Sequence, residues 1–215
     1  MRLLFPLLIV FLTSCAGYRF QTKENPFAQY GIKSVSVPMF YNHSNFSNVS
    51  PMFTREVYRK LLDFKKLKVK SGHVLADAVL IGIILSPKLR KDSVSVLSSK
   101  EASNAFGEDS IGSNRKDFSV TSVSEINLSL RVMVIKHPSP AEIEFLQNNI
   151  SAQALSSKII FNETIPLKVS YQHKELSGTG TKVLATQNRG IEKQRLNDLA
   201  MKAADNFKDM ILYAF

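Results

Sequence analysis

The chain has 215 residues, a formal net charge of +10 and one cysteine. That length suits one domain, or a domain carrying a large insertion, and a lone cysteine excludes an intramolecular disulfide. The basic excess favours anionic partners, through long-range attraction that salt weakens.

At the start, Arg2 is followed by Leu3 to Leu12, an apolar run that only Pro6 interrupts. At about 1.5 Å rise per residue it falls well short of a ~30 Å hydrocarbon core, which needs about 20 residues. It therefore reads as the cleavable region of a signal peptide, residues 1–14, and not as a membrane span. Leu12-Thr13-Ser14-Cys15 closes it, supplying small residues for a peptidase and a thiol for lipid transfer, and resembles the lipobox of bacterial lipoproteins. An ordinary secretory signal with a chance cysteine is the alternative; against it, the single cysteine stands at the one position where a lipobox needs it. Cys15 is thus expected to open the mature chain and to carry covalent lipid, with no other cofactor. Beyond the cytoplasm nucleic acid is not an expected partner, and phosphorylated glycolipid, anionic phospholipid or an acidic protein surface fit the charge.

Residues 15–31 are polar and irregular and serve as a lipidated tether, with a single domain expected over 32–215. Val35, Val37 and Met39 alternate with Ser34, Ser36 and Pro38, a half-buried strand that Pro38 ends or holds at an edge. Tyr41 to Val49 reads as an Asn- and Ser-rich loop. A helix follows, with Ser50 as cap, Pro51 at its first position, Phe53, Val57, Leu61 and Phe64 facing inward, and Arg55, Glu56, Arg59 and Lys60 outward. Leu67 and Val69 alternate with Lys66, Lys68 and Lys70 in a short basic strand. Ala78 to Leu85 is nearly unbroken apolar sequence, which suits a central strand covered on both faces. Pro87 ends or bends it, and Val94 to Leu97 can continue it.

Residues 98–117 form a polar insertion longer than an ordinary connection. A long strand pattern follows, clearest where Ile126, Leu128, Leu130, Val132 and Val134 alternate with polar neighbours. A second insertion, 136–157, has room for a short helix over Ala141 to Leu146. Ile165, Leu167, Val169 and Tyr171 form a further strand, expected antiparallel to the previous one. Gln172 to Gly190 reads as a polar connection. Leu196, Leu199, Ala203, Phe207, Met210 and Ala214 then recur with helical spacing and predict a helix of about 22 residues and ~30 Å. These elements predict an α+β fold: a mixed or antiparallel sheet of about four strands packed by two helices, one of them long and C-terminal.

Several stretches carry a resemblance to a known family: Cys15-Ala16-Gly17-Tyr18-Arg19-Phe20; Gly31 to Phe40; the capped helix; Ala76-Asp77-Ala78-Val79-Leu80-Ile81-Gly82; and the strands around Leu128 to Val132 and Lys158 to Glu163. Behind a lipobox, this order resembles the LPS-assembly lipoprotein family LptE, from which the chain departs at Ala16 and in its two insertions. The resemblance implies a non-enzymatic lipoprotein of the outer membrane, facing the periplasm, that associates with an LptD-type β-barrel, plugs it, and assists lipopolysaccharide assembly. The lack of an acidic residue after Cys15 agrees with outer-membrane sorting. A different lipoprotein adaptor, such as a secretin pilot or a regulator of peptidoglycan synthesis, is the alternative.

No catalytic constellation is visible. His43, His73, His137 and His173 are scattered, without HExxH spacing or a cysteine pair for zinc, and there is no GxSxG or phosphate-binding glycine loop. Lys88, Arg90 and Lys91 are the candidates for lipopolysaccharide contact, since arginine and lysine match lipid A phosphates through charge-assisted hydrogen bonds. Equally, they can simply solvate a sheet end. Lys66, Lys68 and Lys70 read first as protection of an edge strand, although antiparallel pairing with the next strand would bring the two groups together. Phe106 and Ile111 read either as anchors for a barrel wall or as incidental hydrophobes.

Overall fold

The computed structural model describes residues 24–98, 102, 117–148, 158–174 and 181–215. The expectations for the signal peptide, Cys15, Phe106 and Ile111 lie outside them. The described strands are β1 (Ser34–Val37), β2 (Tyr41–His43), β3 (Lys68–Ser71), β4 (Ala78–Leu85), β5 (Lys91–Ser98), β6 (Asp117–Lys136) and β7 (Ile159–Gln172). The α-helices are α1 (Val49–Leu62), α2 (Pro140–Asn148) and α3 (Thr181–Ala214).

The fold is α+β, but with a mixed sheet of seven strands in place of the four expected. Its path runs β3-β1-β4-β6-β5, with β2 also on β4 and β7 on β6. β1 and β2 both run parallel to β4, at Ala78–Val79 and Ile83–Leu85 respectively. Pro38 lacks the N–H a ladder needs, so β1 stops at Val37 and the chain resumes pairing at Tyr41, after three unpaired residues. That explains why the polar Tyr41–His43 segment, expected as loop, is a strand: a long neighbour is there to pair with it. Between the two, the Phe40 ring lies flat on Gly82, where any Cβ would stand 2.5 Å from the ring.

β4 is buried on both faces, as its unbroken apolar run predicts. On one face Leu80 and Ile84 join Leu128, Leu130, Val132 and Val134 of β6 under α1 and α3. On the other, Val79, Ile81 and Ile83 pack with Met133 and Ile135 under Ile143 and Leu146 of α2. β5 does not prolong β4. It turns back to pair antiparallel with Asp117–Glu125 of β6, beyond the Ser129–Lys136 segment that β4 occupies. β7 is antiparallel to β6, as expected, and runs from Ile159.

α1 buries Phe53, Val57 and Leu61 completely. It begins at Val49 after Asn48 in the left-handed region, φ 58°, with no side-chain cap, so Ser50 is inside the helix and not its cap. Glu56, expected on the outer face, is 3% exposed. Arg55 Nε and Arg59 donate to its two oxygens at 2.9 and 3.0 Å, and Arg55 also reaches Asn197 on α3 at 2.9 Å. The crossing of α3 over this turn covers a position that the stripe of α1 alone leaves outside. α3 is 34 residues long and starts at Thr181, so part of the expected Gln172–Gly190 connection is helical. One glycine inside a helix costs only about 1 kcal/mol, which the packed remainder outweighs.

Aromatic contacts close the domain. Phe215 packs edge-on against Phe27 and Tyr30, ring centres 5.6 and 5.5 Å apart, and lies 6.3 Å from Phe161 of β7. Phe27 and Tyr30, inside the segment expected as a polar, irregular tether, are thereby pinned beside the end of α3, with Phe27 fully buried and Ala28–Tyr30 forming a short 3-10 helix, because the apolar rings find partners that only the folded chain supplies.

Candidate functional site

Lys88, Arg90 and Lys91 do share one turn, which Pro87 starts and β5 ends, but their side chains go separate ways. Lys88 and Lys91 are exposed, and Leu89 between them is 77% exposed. Arg90 turns inward. Its guanidinium donates to Asp92 Oδ1 at 2.8 Å, to Ser124 Oγ at 2.8 Å and to Glu192 Oε2 of α3 at 3.2 Å. Lys91 is in register with Glu125, which Lys168 also reaches at 2.9 Å.

A polar network grows from Arg90. The fully buried Ser124 hydroxyl donates to Asp92 at 2.5 Å and meets His173 Nε2 at 2.7 Å, while Tyr171 donates to Glu192 at 3.3 Å. Partial burial is the largest single influence and opposes the Arg90 charge, but the bond to Asp92 and the charges of Tyr171, Glu192 and Asp92 together outweigh it and raise the pKa. Burial likewise disfavours the Asp92 carboxylate, and the bonds from Ser124 and Arg90 override it, holding Asp92 below the usual range. Burial and the neighbouring Glu192 push the Tyr171 hydroxyl up.

The presence of serine, histidine and aspartate in one network invites comparison with a nucleophilic relay. In such a relay a carboxylate orients the imidazole, and the imidazole takes the serine proton. Here the carboxylate accepts directly from the serine, and the hydroxyl is sealed from solvent. The arrangement ties β5, β6, β7 and α3 together; Ser124 and Glu192 are not legible as partners of Arg90 in the sequence, because they lie 34 and 102 residues away.

Lys66, Lys68 and Lys70 are not joined to this turn. β3 pairs with β1 in parallel, Ser34 opposite Lys68 and Ser36 opposite Lys70, so β1 separates β3 from β4 and the expected antiparallel pairing does not occur. Instead the three lysines line a cleft of about 670 Å³ together with Lys33, Glu24, Asn25 and Ser34. Lys33 was missed because only the β1–β3 pairing brings it there. Asp77 fixes this backbone: its carboxylate accepts the N–H groups of Lys33 at 2.9 Å and Ser34 at 2.8 Å, bonds that lower its pKa.

A second cavity, about 590 Å³, opens between β1, the 73–76 segment and α2, lined mainly by apolar side chains such as Val74, Leu75, Val79 and Ile143. The buried Ser36 hydroxyl on its wall has no hydrogen-bond partner. Among the described residues no group of three His, Cys, Asp or Glu side chains is placed to hold a metal, and no helix is long and apolar enough to cross a membrane.

The sequence matches no family model and no curated protein. Among solved structures the chain is similar to rare lipoprotein B from Shewanella oneidensis, at 12% identity and TM-score 0.34, over 83% of this chain and 92% of that one. It is also similar to lipoprotein B from Nitrosomonas europaea, at 10% identity and TM-score 0.38, over 88% and 85%. A lipoprotein from Neisseria meningitidis is similar at 10% identity and TM-score 0.33, over 76% and 98%.

Proposed function

We propose that the chain is a non-enzymatic, lipid-anchored protein of the outer membrane, facing the periplasm, that occupies an LptD-type β-barrel and assists lipopolysaccharide assembly. The observation that carries this reading is a lipobox cysteine, Cys15, directly ahead of a domain whose strand, helix, central-strand and long C-terminal-helix order follows the LptE-like pattern. A plug needs a rigid body that keeps its shape inside a wall. A seven-stranded sheet whose central strand β4 is covered on both faces fits that need.

Within this reading Lys88 and Lys91 are the exposed charges offered to lipid A phosphates, and Arg90 is the positioning residue that holds their turn. Each acyl chain contributes about 0.8 kcal/mol per buried CH₂, so the two or three chains of a bacterial lipoprotein hold it durably at the bilayer.

The deciding experiment is affinity purification of the tagged protein from detergent-solubilised membranes, with mass spectrometry of what accompanies it. A large outer-membrane barrel of the LptD type at equal stoichiometry is the expected result. Recovery of a secretin or a peptidoglycan synthase in its place would overturn the assembly role and leave an anchored adaptor.

A further inference from the structure

We infer that the Lys33–Lys66–Lys68–Lys70 cleft is a membrane-facing surface that receives the headgroup phosphates of anionic phospholipid. The inference rests on the anchor reading of Cys15.

The first argument is charge. Four lysines line the cleft against one carboxylate, Glu24, which pairs with Lys66 at 3.4 Å while itself 66% exposed. Lys70 donates to the Leu75 carbonyl at 2.7 Å, and Lys33 and Lys68 are exposed. Lys65, also exposed, adds to the same short stretch. Several lysines together at a bilayer surface form a recognised headgroup-binding pattern, and each adds attraction within a Debye length of about 8 Å.

The second argument is where the chain leaves the domain. Glu24 and Asn25 form part of the cleft wall, and Cys15 lies nine residues before Glu24. Fully extended, that length spans no more than about 30 Å. Phe27 and Tyr30, held by Phe215, and the Lys136 ammonium on the Tyr30 carbonyl at 2.8 Å keep this exit in place. An acyl anchor on Cys15 therefore keeps this basic edge near the bilayer. The Lys88–Lys91 turn leads into β5, at the opposite end of the sheet path from β3.

The test uses the lipidated protein purified from membranes and reconstituted into vesicles of phosphatidylcholine alone or mixed with phosphatidylglycerol. Lysine acetylation rates are read by mass spectrometry. Lys33, Lys66, Lys68 and Lys70 are expected to react about fivefold more slowly on the anionic vesicles, with Lys88 and Lys91 unchanged and the protection lost at high salt. Equal rates at the cleft on both vesicles overturn the inference while leaving the anchor standing. Inorganic phosphate giving the same protection on neutral vesicles also overturns it, since the cleft is then a general anion site. Failure to enter phosphatidylcholine vesicles at all overturns the anchor reading, and this inference with it. A Lys68→Glu/Lys70→Glu variant that keeps its melting temperature is expected to abolish the protection of Lys33.

Discussion

At the scale of single residues, Arg90 and Gly82 carry the sharpest consequences. Arg90 satisfies Asp92, Ser124 and Glu192 at once, so Arg90→Ala removes a donor from the fully buried Ser124 hydroxyl and from two partly exposed carboxylates. Hydrogen bonds to charged groups contribute about 1.5–3 kcal/mol, and solvent at the partly exposed Asp92 and Glu192 brings this to the lower end, about 1.5 kcal/mol. Urea unfolding of Arg90→Ala is expected to show a loss of that order, whereas Lys88→Ala and Lys91→Ala stay within about 0.5 kcal/mol of the parent. Equal stability of all three variants would mean that the network adds nothing and that Arg90 is free for ligand. Gly82→Ala sets a methyl into the Phe40 ring at 2.5 Å. Because Phe40 is itself 2% exposed and its N–H donates to Thr54 Oγ1 at 2.9 Å, the ring has little room to retreat. Overpacking of this kind costs about 1–3 kcal/mol, and the double variant Gly82→Ala/Phe40→Leu should recover part of it in the same measurement.

At the scale of elements, α2 is held by chemistry that is local and legible. Ser139 and Glu142 cap each other: the Ser139 N–H donates to Glu142 Oε2 at 2.7 Å, and the Glu142 N–H donates to Ser139 Oγ at 3.2 Å. Lys158, just before β7, grips the same carboxylate at 2.8 and 3.0 Å. Those bonds, the lysine's first, lower the Glu142 pKa from 4.5 to about 2. On acidification the unfolded chain therefore takes up this proton before the folded one does. The stabilisation is whole above about pH 4.5, fades as the pH falls toward 2, and is absent below it. The melting temperature of the parent should exceed that of Glu142→Gln at neutral pH, with the gap closing across that window; a gap independent of pH would assign the effect to packing instead. The Ser-Pro-Ala-Glu signature is in the sequence, and the capping-box rule finds it without a structure. The true start of α1 was not legible in the same way, because Asn48 adopts a left-handed backbone without a side-chain bond.

At the scale of the whole molecule, the proposed anchor on Cys15 is expected to hold the domain at the membrane without stabilising its fold. The described core begins at Phe27 and closes through Phe161, Phe207 and Phe215. Cys15→Ala is expected to move the protein from the membrane to the soluble fraction while leaving its melting temperature unchanged. Retention of that variant in membranes lacking a barrel partner would remove the anchor assignment. The sheet also explains why two basic clusters that are close in sequence end up on different parts of the molecule. With β1 inserted between β3 and β4, Lys66–Lys70 occupies the outer edge, while the chain beyond β4 crosses to the opposite end of β6.

Features that depend on near neighbours along the chain can be read from the amino-acid order alone. Hydrophobic period marked the inward stripe of α1, the alternation of β6 and the helix through Leu196 to Ala214, and the unbroken run of β4 marked a strand covered on both faces. Which strand lies beside which is settled only when the chain folds. Parallel pairing of β1 with β3, the short β2 and the return of β5 depend on partners far away in sequence, and local pattern carries no information about them. The same holds for sites: charge was visible residue by residue, but whether an arginine is buried in a network or a lysine faces a cleft is set by elements that meet only when the sheet has formed.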